Sequence, residues 1–211
     1  LKDIITPGPG GISFISGGSG IQELARMTRD QVVYLTGRLL ELDKMADIII
    51  VDTGAGIADN VLEFVVSSSE VLLVATPEPT SITDAYALLK ALNKKAEFSK
   101  KDTKIRMISN RVRNDAEGEV LYDKMSVVVE KFLHIPLDYL GCVPEDDALP
   151  KAVMKQRPVS LINPNSASSK AFSQIASELA GENEKKDDAP RGISQLFSNL
   201  IRTKMRGRKS K

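Results

Sequence analysis

Residues 71–92 read VLLVATPEPTSITDAYALLKAL. The first five are apolar without interruption, the pattern of a strand buried on both faces. Pro77 and Pro79 then remove two N–H donors and stiffen the exit from the sheet. Ser81 or Thr80 can cap the run of helical period that continues to Leu92. The same plan recurs along the chain. Apolar runs at Ile12–Ile15, Ile48–Val51, Ile105–Ile108 and Tyr139–Val143 alternate with helical stretches. Thr28 with Gln31 forms a possible capping box ahead of Val32–Leu42, and Asn165 or Ser166 stands ahead of the run to Leu179. Strands alternating with helices imply right-handed crossovers and an α/β fold with a mostly parallel, doubly wound sheet. Ligands of such sheets lie beyond the carboxyl ends of the strands, so the residues following each run are where chemistry is expected.

Composition narrows the field. The 211 residues are 42% apolar and 27% charged, enough for a real core, and disorder or collagen-like repetition is excluded. A net charge of +1 argues against a uniformly basic nucleic-acid binder. Cys142 is the one cysteine and His134 the one histidine, which leaves no internal disulfide, no His/Cys metal site and no Ser-His-Asp triad. Both read as structural residues in an intracellular protein. No run of 18 apolar residues occurs and the N-terminus lacks signal-peptide order. The first residue is Leu1 rather than Met, which points to a start further upstream.

Residues 46–60, ADIIIVDTGAGIADN, carry the strongest chemical signal. Four apolar residues deliver Asp52 to the end of an expected buried strand, and Thr53-Gly54-Ala55-Gly56 follows as a tight turn. A carboxylate there can hold Mg²⁺ or orient an attacking water, and the glycines let backbone N–H groups approach a phosphate. The alternative is an Asp that caps the next helix. Neither G-x-x-x-x-G-K-[ST] nor G-x-G-x-x-G is present. Gly8-Pro9-Gly10-Gly11 and Gly17-Gly18-Ser19-Gly20 flank the first run and read as turns. Asp146 and Asp147 read as residues that begin a helix, where carboxylates suit the N-terminal dipole.

Four segments in this order, IIIVDTGAGI, LLVATPEPTSITDAYALLKAL, ISNRVRN and GCVPEDDALPKAV, resemble the MinD/ParA family of P-loop ATPases. Within it they are most similar to the regulators of flagellar number and placement known as FlhG, YlxH and FleN. The resemblance covers nearly all of residues 1–181. It begins after the family's deviant Walker A loop and an Asp-bearing second strand, and so implies a chain truncated by roughly the first third. Such a chain is expected to lack the first strand and P-loop and to be unable by itself to bind ATP. It should also leave a gap or an exposed apolar edge beside the strands ending at Asp52 and Ala75, and be poorly soluble.

What the resemblance implies for this chain can be stated by residue. Asp52 takes the place of the Walker B type aspartate, acting on Mg²⁺ through water and positioning the nucleophilic water. Gly54 and Gly56 become switch glycines that sense the γ-phosphate of ATP. Asn110 and the backbone at Val143, Pro144 and Glu145 match adenine-contacting positions, with Arg111 beside the base. An Asn amide offers the edge of adenine both a donor and an acceptor; an Asn satisfying turn backbone is the alternative. The loop Thr76–Ser81 lies near the nucleotide and the dimer face in relatives.

The C-terminal part differs in character. Residues 182–190, ENEKKDDAP, read as a charged linker. Residues 191–211 contain seven Lys or Arg and no acid. The remaining body therefore has 22 basic against 28 acidic residues, −6 against a tail of +7. In the tail Ile193, Leu196, Phe197, Leu200, Ile201 and Met205 fall on one helical face. Arg202, Lys204 and Arg206 gather toward its end with Arg208 and Lys209, as an anionic membrane surface requires. Docking on the body, on a partner protein or on nucleic acid are the alternatives; large apolar residues on one face serve phosphate binding poorly.

The leading expectation is an ATPase that switches between a cytosolic monomer and an ATP-bound, membrane-associated homodimer, regulating flagellar number or placement. Its partners would be the anionic inner face of the plasma membrane and, by resemblance, a flagellar assembly factor such as an SRP-type GTPase; no nucleic acid is expected. A non-catalytic partner-binding module of the same fold and a cell-division or partition ATPase are the competing readings.

Overall fold

A computed structural model describes residues 5–15, 42, 45–54, 56–95, 98 and 103–183. They fall into two compact units that divide between Ser68 and Ser69.

In the first unit, β1 (Ile5–Pro7) and β2 (Ser13–Ile15) form an antiparallel hairpin, pairing Ile5 with Ile15 and Pro7 with Ser13. Pro9–Gly11 make the turn between them, with φ of +71° at Gly10 and +82° at Gly11, as the glycine-rich sequence requires. The expected strand at Ile12–Ile15, buried on both faces, is thus a short hairpin strand with Phe14 and Ile15 exposed. Among the described residues no third strand pairs with this hairpin, and two strands alone bury little. The expected strand at Ile48–Val51 is not formed either. All four residues are exposed, Ile50 to 80%. A buried parallel strand takes its hydrogen bonds from neighbours and its burial from covering layers. Among the described residues no strand pairs with 48–51. Helix α1 (Asp59–Ser67) follows; its Val61, Leu62 and Val65 are buried, and Ser68 closes it by donating from its hydroxyl to Phe64 O at 2.8 Å.

The second unit is where the sequence pattern is realised. Strands β3 (Glu70–Ala75), β4 (Lys104–Val112) and β5 (Asp138–Pro144) form a parallel sheet in the order β3-β4-β5. Helices α2 (Pro79–Asn93) and α3 (Asp115–Leu133) make the crossovers, and α4 (Ala148–Met154), α5 (Val159–Ile162) and α6 (Ala167–Asn183) follow. Alternation along β4 shows the double winding. Ser109 donates to Gly118 O of α3 at 2.8 Å on one face. On the other, Ile108 packs with Leu140, Val143 and Ile175 of α6. Gly118 is required by this closeness, because a Cβ there would stand 2.8 Å from Cys142 Cβ and 2.7 Å from the Tyr139 hydroxyl. Leu72 and Val74 of β3 are 39% and 52% exposed. They share the face of Arg106 and Ile108, their partners in register.

Helix starts refine the sequence reading. α2 begins at Pro79, ahead of Thr80 and Ser81, because proline's fixed φ and missing N–H suit the first helical turn. Ser81 Oγ instead accepts from Thr76 N at 2.9 Å, tying the strand exit to the helix. Ser166 caps α6 as expected, its Oγ accepting from Ser169 N at 3.2 Å. α3 is capped by Asn114, whose Oδ1 accepts from Glu117 N at 3.0 Å, and by His134 just past its end, with φ of +54°. Among the described residues no helix is long and apolar enough to cross a membrane. Thr28 with Gln31, Gly17–Gly20, the linker beyond Asn183 and the whole of 191–211 lie outside the described residues.

Candidate functional site

Three strand exits meet at the carboxyl end of the sheet. After β3, the main chain passes through Thr76, Pro77 and Glu78, the last standing just ahead of α2. After β5 it passes through Glu145, whose N–H donates to Val112 O at 2.8 Å and so locks the exits of β4 and β5 together. Between them β4 carries a bulge. Asn110 pairs with Val143 and Val112 with Pro144, leaving Arg111 as the extra residue, at φ of +55°. A bulge interrupts the two-residue alternation and re-aims a side chain. Here the Arg111 guanidinium bridges Glu78 Oε1 at 3.5 Å and Glu145 Oε1 at 3.6 Å.

The expected base-contacting residues Asn110, Arg111, Val143, Pro144 and Glu145 are thus brought together. Asn110 is partly buried at the mouth of the strand. Val143 is 3% exposed, so its side chain belongs to the core and its contribution to a site is main chain alone. Asp52, Gly54 and Gly56 belong to the other unit, where all three are exposed. Asp52 follows an irregular exposed segment, not the buried strand end that the sequence led us to expect. Gly56 has φ of +100°, a conformation that favours glycine. Ile193, Leu196, Phe197, Leu200, Ile201, Met205, Arg202, Lys204 and Arg206 lie outside the described residues.

Behind the exits, Asp146 does more than begin a helix. Oδ1 accepts from Ala148 N at 2.8 Å, and Oδ2 accepts from Ser168 N at 2.9 Å and Ser168 Oγ at 2.8 Å. The Ser168 N–H, then the Ala148 N–H, hold this carboxyl well below its usual range, down to about 2. Asp146 therefore staples the β5 exit to the first turn of α6. Sequence reasoning missed that second partner; the cluster Asn165-Ser166-Ala167-Ser168-Ser169 was its signal. It also missed Glu78 as a partner of Arg111, although flanking prolines fix its backbone. Nearby, the Arg113 guanidinium donates to Glu117 at 3.0 Å and holds that carboxyl below its usual range. Cys142 donates to Asp115 Oδ1 at 3.2 Å, and burial pushes its thiol up to about 11, so it is an inert structural thiol. Among the described residues no three His, Cys, Asp or Glu side chains gather in a metal-binding group.

No protein-family model matches the chain. Among curated proteins, the antiactivator FleN of Pseudomonas aeruginosa is 38% identical over 179 residues, which cover 85% of this chain and 62% of FleN. The flagellum site-determining protein YlxH of Helicobacter pylori is 32% identical over 209 residues, 96% of this chain and 68% of YlxH. The chain thus spans about two thirds of the length of these relatives. Among solved structures, the septum site-determining protein MinD of Pyrococcus horikoshii, complexed with Mg-ADP, superimposes with a TM-score of 0.60 at 21% identity, covering 90% of this chain and 72% of that one. That likeness bears on the fold. With the YlxH and FleN matches over most of the sequence, and with the parallel sheet of residues 69–189, the chain belongs to the MinD/ParA family of ATPases, in the branch that holds the flagellar regulators FleN and YlxH.

Proposed function

We propose that this chain supplies the base-binding and switch residues of a MinD/ParA-type ATPase that sets flagellar number or placement. One observation carries the reading: the bulge that gathers Asn110, Arg111 and the Val143–Glu145 main chain at the carboxyl end of β4 and β5. That is where an open parallel sheet takes its ligand. The donor set fits a purine base. The Asn110 amide pairs with a donor and an acceptor on one base edge, the main chain beside Val143 and Pro144 lines the other side, and the buried Val143 side chain keeps the floor rigid.

The phosphate chemistry is assigned, by family resemblance, to Asp52, Gly54 and Gly56. A bound magnesium nucleotide supplies the phosphoryl group whose hydrolysis times the switch. Asp52 would hold the ion through water and orient the attacking water, and Gly54 and Gly56 leave room for backbone N–H groups near the γ-phosphate. One carboxylate with waters and phosphates is an ordinary magnesium shell, so a cage of three acids is not needed. These 211 residues contain no lysine-bearing glycine loop, so the grip on the phosphates is expected to be weak in this polypeptide.

The output is nucleotide-dependent homodimerisation and attachment to the inner face of the bacterial plasma membrane. Each buried Leu or Phe of residues 191–211 contributes about 1.5–3 kcal/mol, and each Lys or Arg near anionic lipid about 1 kcal/mol. One such helix attaches reversibly, and two in a dimer hold far more tightly. A flagellar assembly factor, by resemblance an SRP-type GTPase, is the proposed protein partner. Disruption of the coding gene, with counts of flagella per cell by electron microscopy, tests the biological role. An altered number or placement, restored by the wild-type gene and not by Asp52→Ala, is expected. Wild-type counts in the disrupted strain would refute the role. Flotation with anionic liposomes, with and without residues 191–211, tests the anchor; equal flotation would remove it.

A further inference from the structure

Arg111 is held in a conformation that residues with a Cβ disfavour. Its φ of +55° lies in the left-handed region, and it is the unpaired residue of the β4 bulge. Strain of this kind persists where surrounding structure over-determines it, and here the restraints are visible. On one side Asn110 is in register with Val143; on the other Val112 pairs with Pro144 and its carbonyl accepts from Glu145 N. Stability alone does not account for the side chain. Glu78, Arg111 and Glu145 are 61%, 59% and 66% exposed, and ion pairs so open to water add little to folding. What the guanidinium does achieve is geometric. It reaches across the exits of three adjacent strands, from Glu78 ahead of α2 to Glu145 after β5, with Asn110 next to it in sequence. A planar fork with several N–H donors can hold two carboxylates at once, which a single ammonium holds poorly.

We propose that Arg111 is a positioning residue: by bridging Glu78 and Glu145 it sets the spacing of the β3 and β5 exits around Asn110, and so holds the base site in the shape that receives a purine. The proposal rests on the base-site reading given above. The bridge ties the first turn of α2 to that site, so anything that displaces Glu78 also loosens the base. Because the pairs are exposed, the bridge weakens with ionic strength.

Arg111→Gly separates positioning from folding. Glycine accepts φ of +55° without strain, so the variant should melt no lower than the wild-type chain while losing the bridge. Titration of the 211-residue protein with adenosine, followed by NMR, should show affinity lower by about two- to fivefold, the measured range for exposed pairs converted to a ratio. Glu78→Gln and Glu145→Gln should each show part of that loss. Equal affinity of Arg111→Gly and wild type would overturn the proposal, and so would parallel losses of melting temperature and affinity, which mark a purely structural role. Amide exchange without ligand separates this proposal from the base-site reading. If the wild-type chain fails to bind adenosine, the base-site reading falls. Faster exchange of the Glu145 N–H in Arg111→Gly then still supports the bridge, and unchanged exchange overturns it.

Discussion

Two apolar runs of nearly the same composition, Ile48–Val51 and Val71–Ala75, take different forms in this molecule. The second is a strand, in register with β4 from Glu70 opposite Lys104 to Ala75 opposite Ser109. Its Val71, Leu73 and Ala75 are buried. The first has no regular structure and lies exposed along its whole length. An apolar run has the propensity for a strand; neighbours that accept its hydrogen bonds and layers that cover its faces make it one. Residues 69–189 supply both for three strands. Among the described residues, 48–51 receive neither.

The largest effect should come from opposing the two runs directly. Leu73→Ala removes a side chain 4% exposed in the sheet and should cost about 2–5 kcal/mol in urea unfolding. Ile50→Ala should change stability by no more than about 0.5 kcal/mol. Similar losses at both positions would break the comparison. Next comes Gly118→Ala, which tests how tightly α3 lies on β5. The added methyl meets Cys142 Cβ, part of a strand that cannot yield, and should cost about 1–3 kcal/mol. A neutral result would mean that the helix lies further off the sheet.

A smaller effect, sharper in its pH dependence, belongs to Asp146. Its carboxyl ionises near 2 in the folded chain against 3.8 ordinarily, so folding favours the charged form. The stability it contributes is complete above the ordinary value and is lost as pH falls from about 4 toward 2. Asp146→Asn should therefore melt below wild type at pH 7, and the two melting curves should converge over that acid window. A gap that persists at pH 2 would assign the effect to shape rather than charge.

The second unit was legible in the sequence for a physical reason. In a parallel sheet buried on both faces, each strand is a nearly unbroken apolar run, and proline and serine mark the turns between strand and helix. Positions 105–108 and 139–143 are strands on that basis, and Ser166 caps α6 as its sequence suggests. The proposed base-contacting residues came as a set from family resemblance, and they lie at the ends of readable strands, Asn110 in β4 and Val143 and Pro144 in β5. The bulge at Arg111 was not. A one-residue insertion in register leaves no trace in hydrophobic pattern, and the ion pairs to Glu78 and Glu145 join residues 33 apart and 34 apart in sequence. The same limit hid the Asp146–Ser168 staple, a contact 22 residues long. Ile48–Val51 failed for the opposite reason: its local signal is clear, and what a strand needs lies outside it.

The proposed division of labour is a base site on the sheet of residues 69–189 and a weak hold on phosphates in this polypeptide. Comparison of adenosine and MgATP binding to the 211-residue chain, by one titration method in one buffer, tests it most directly. Affinities within about threefold of each other, a difference under about 1 kcal/mol, are expected. MgATP binding tighter by about a hundredfold or more, and lost on Asp52→Ala, would contradict it.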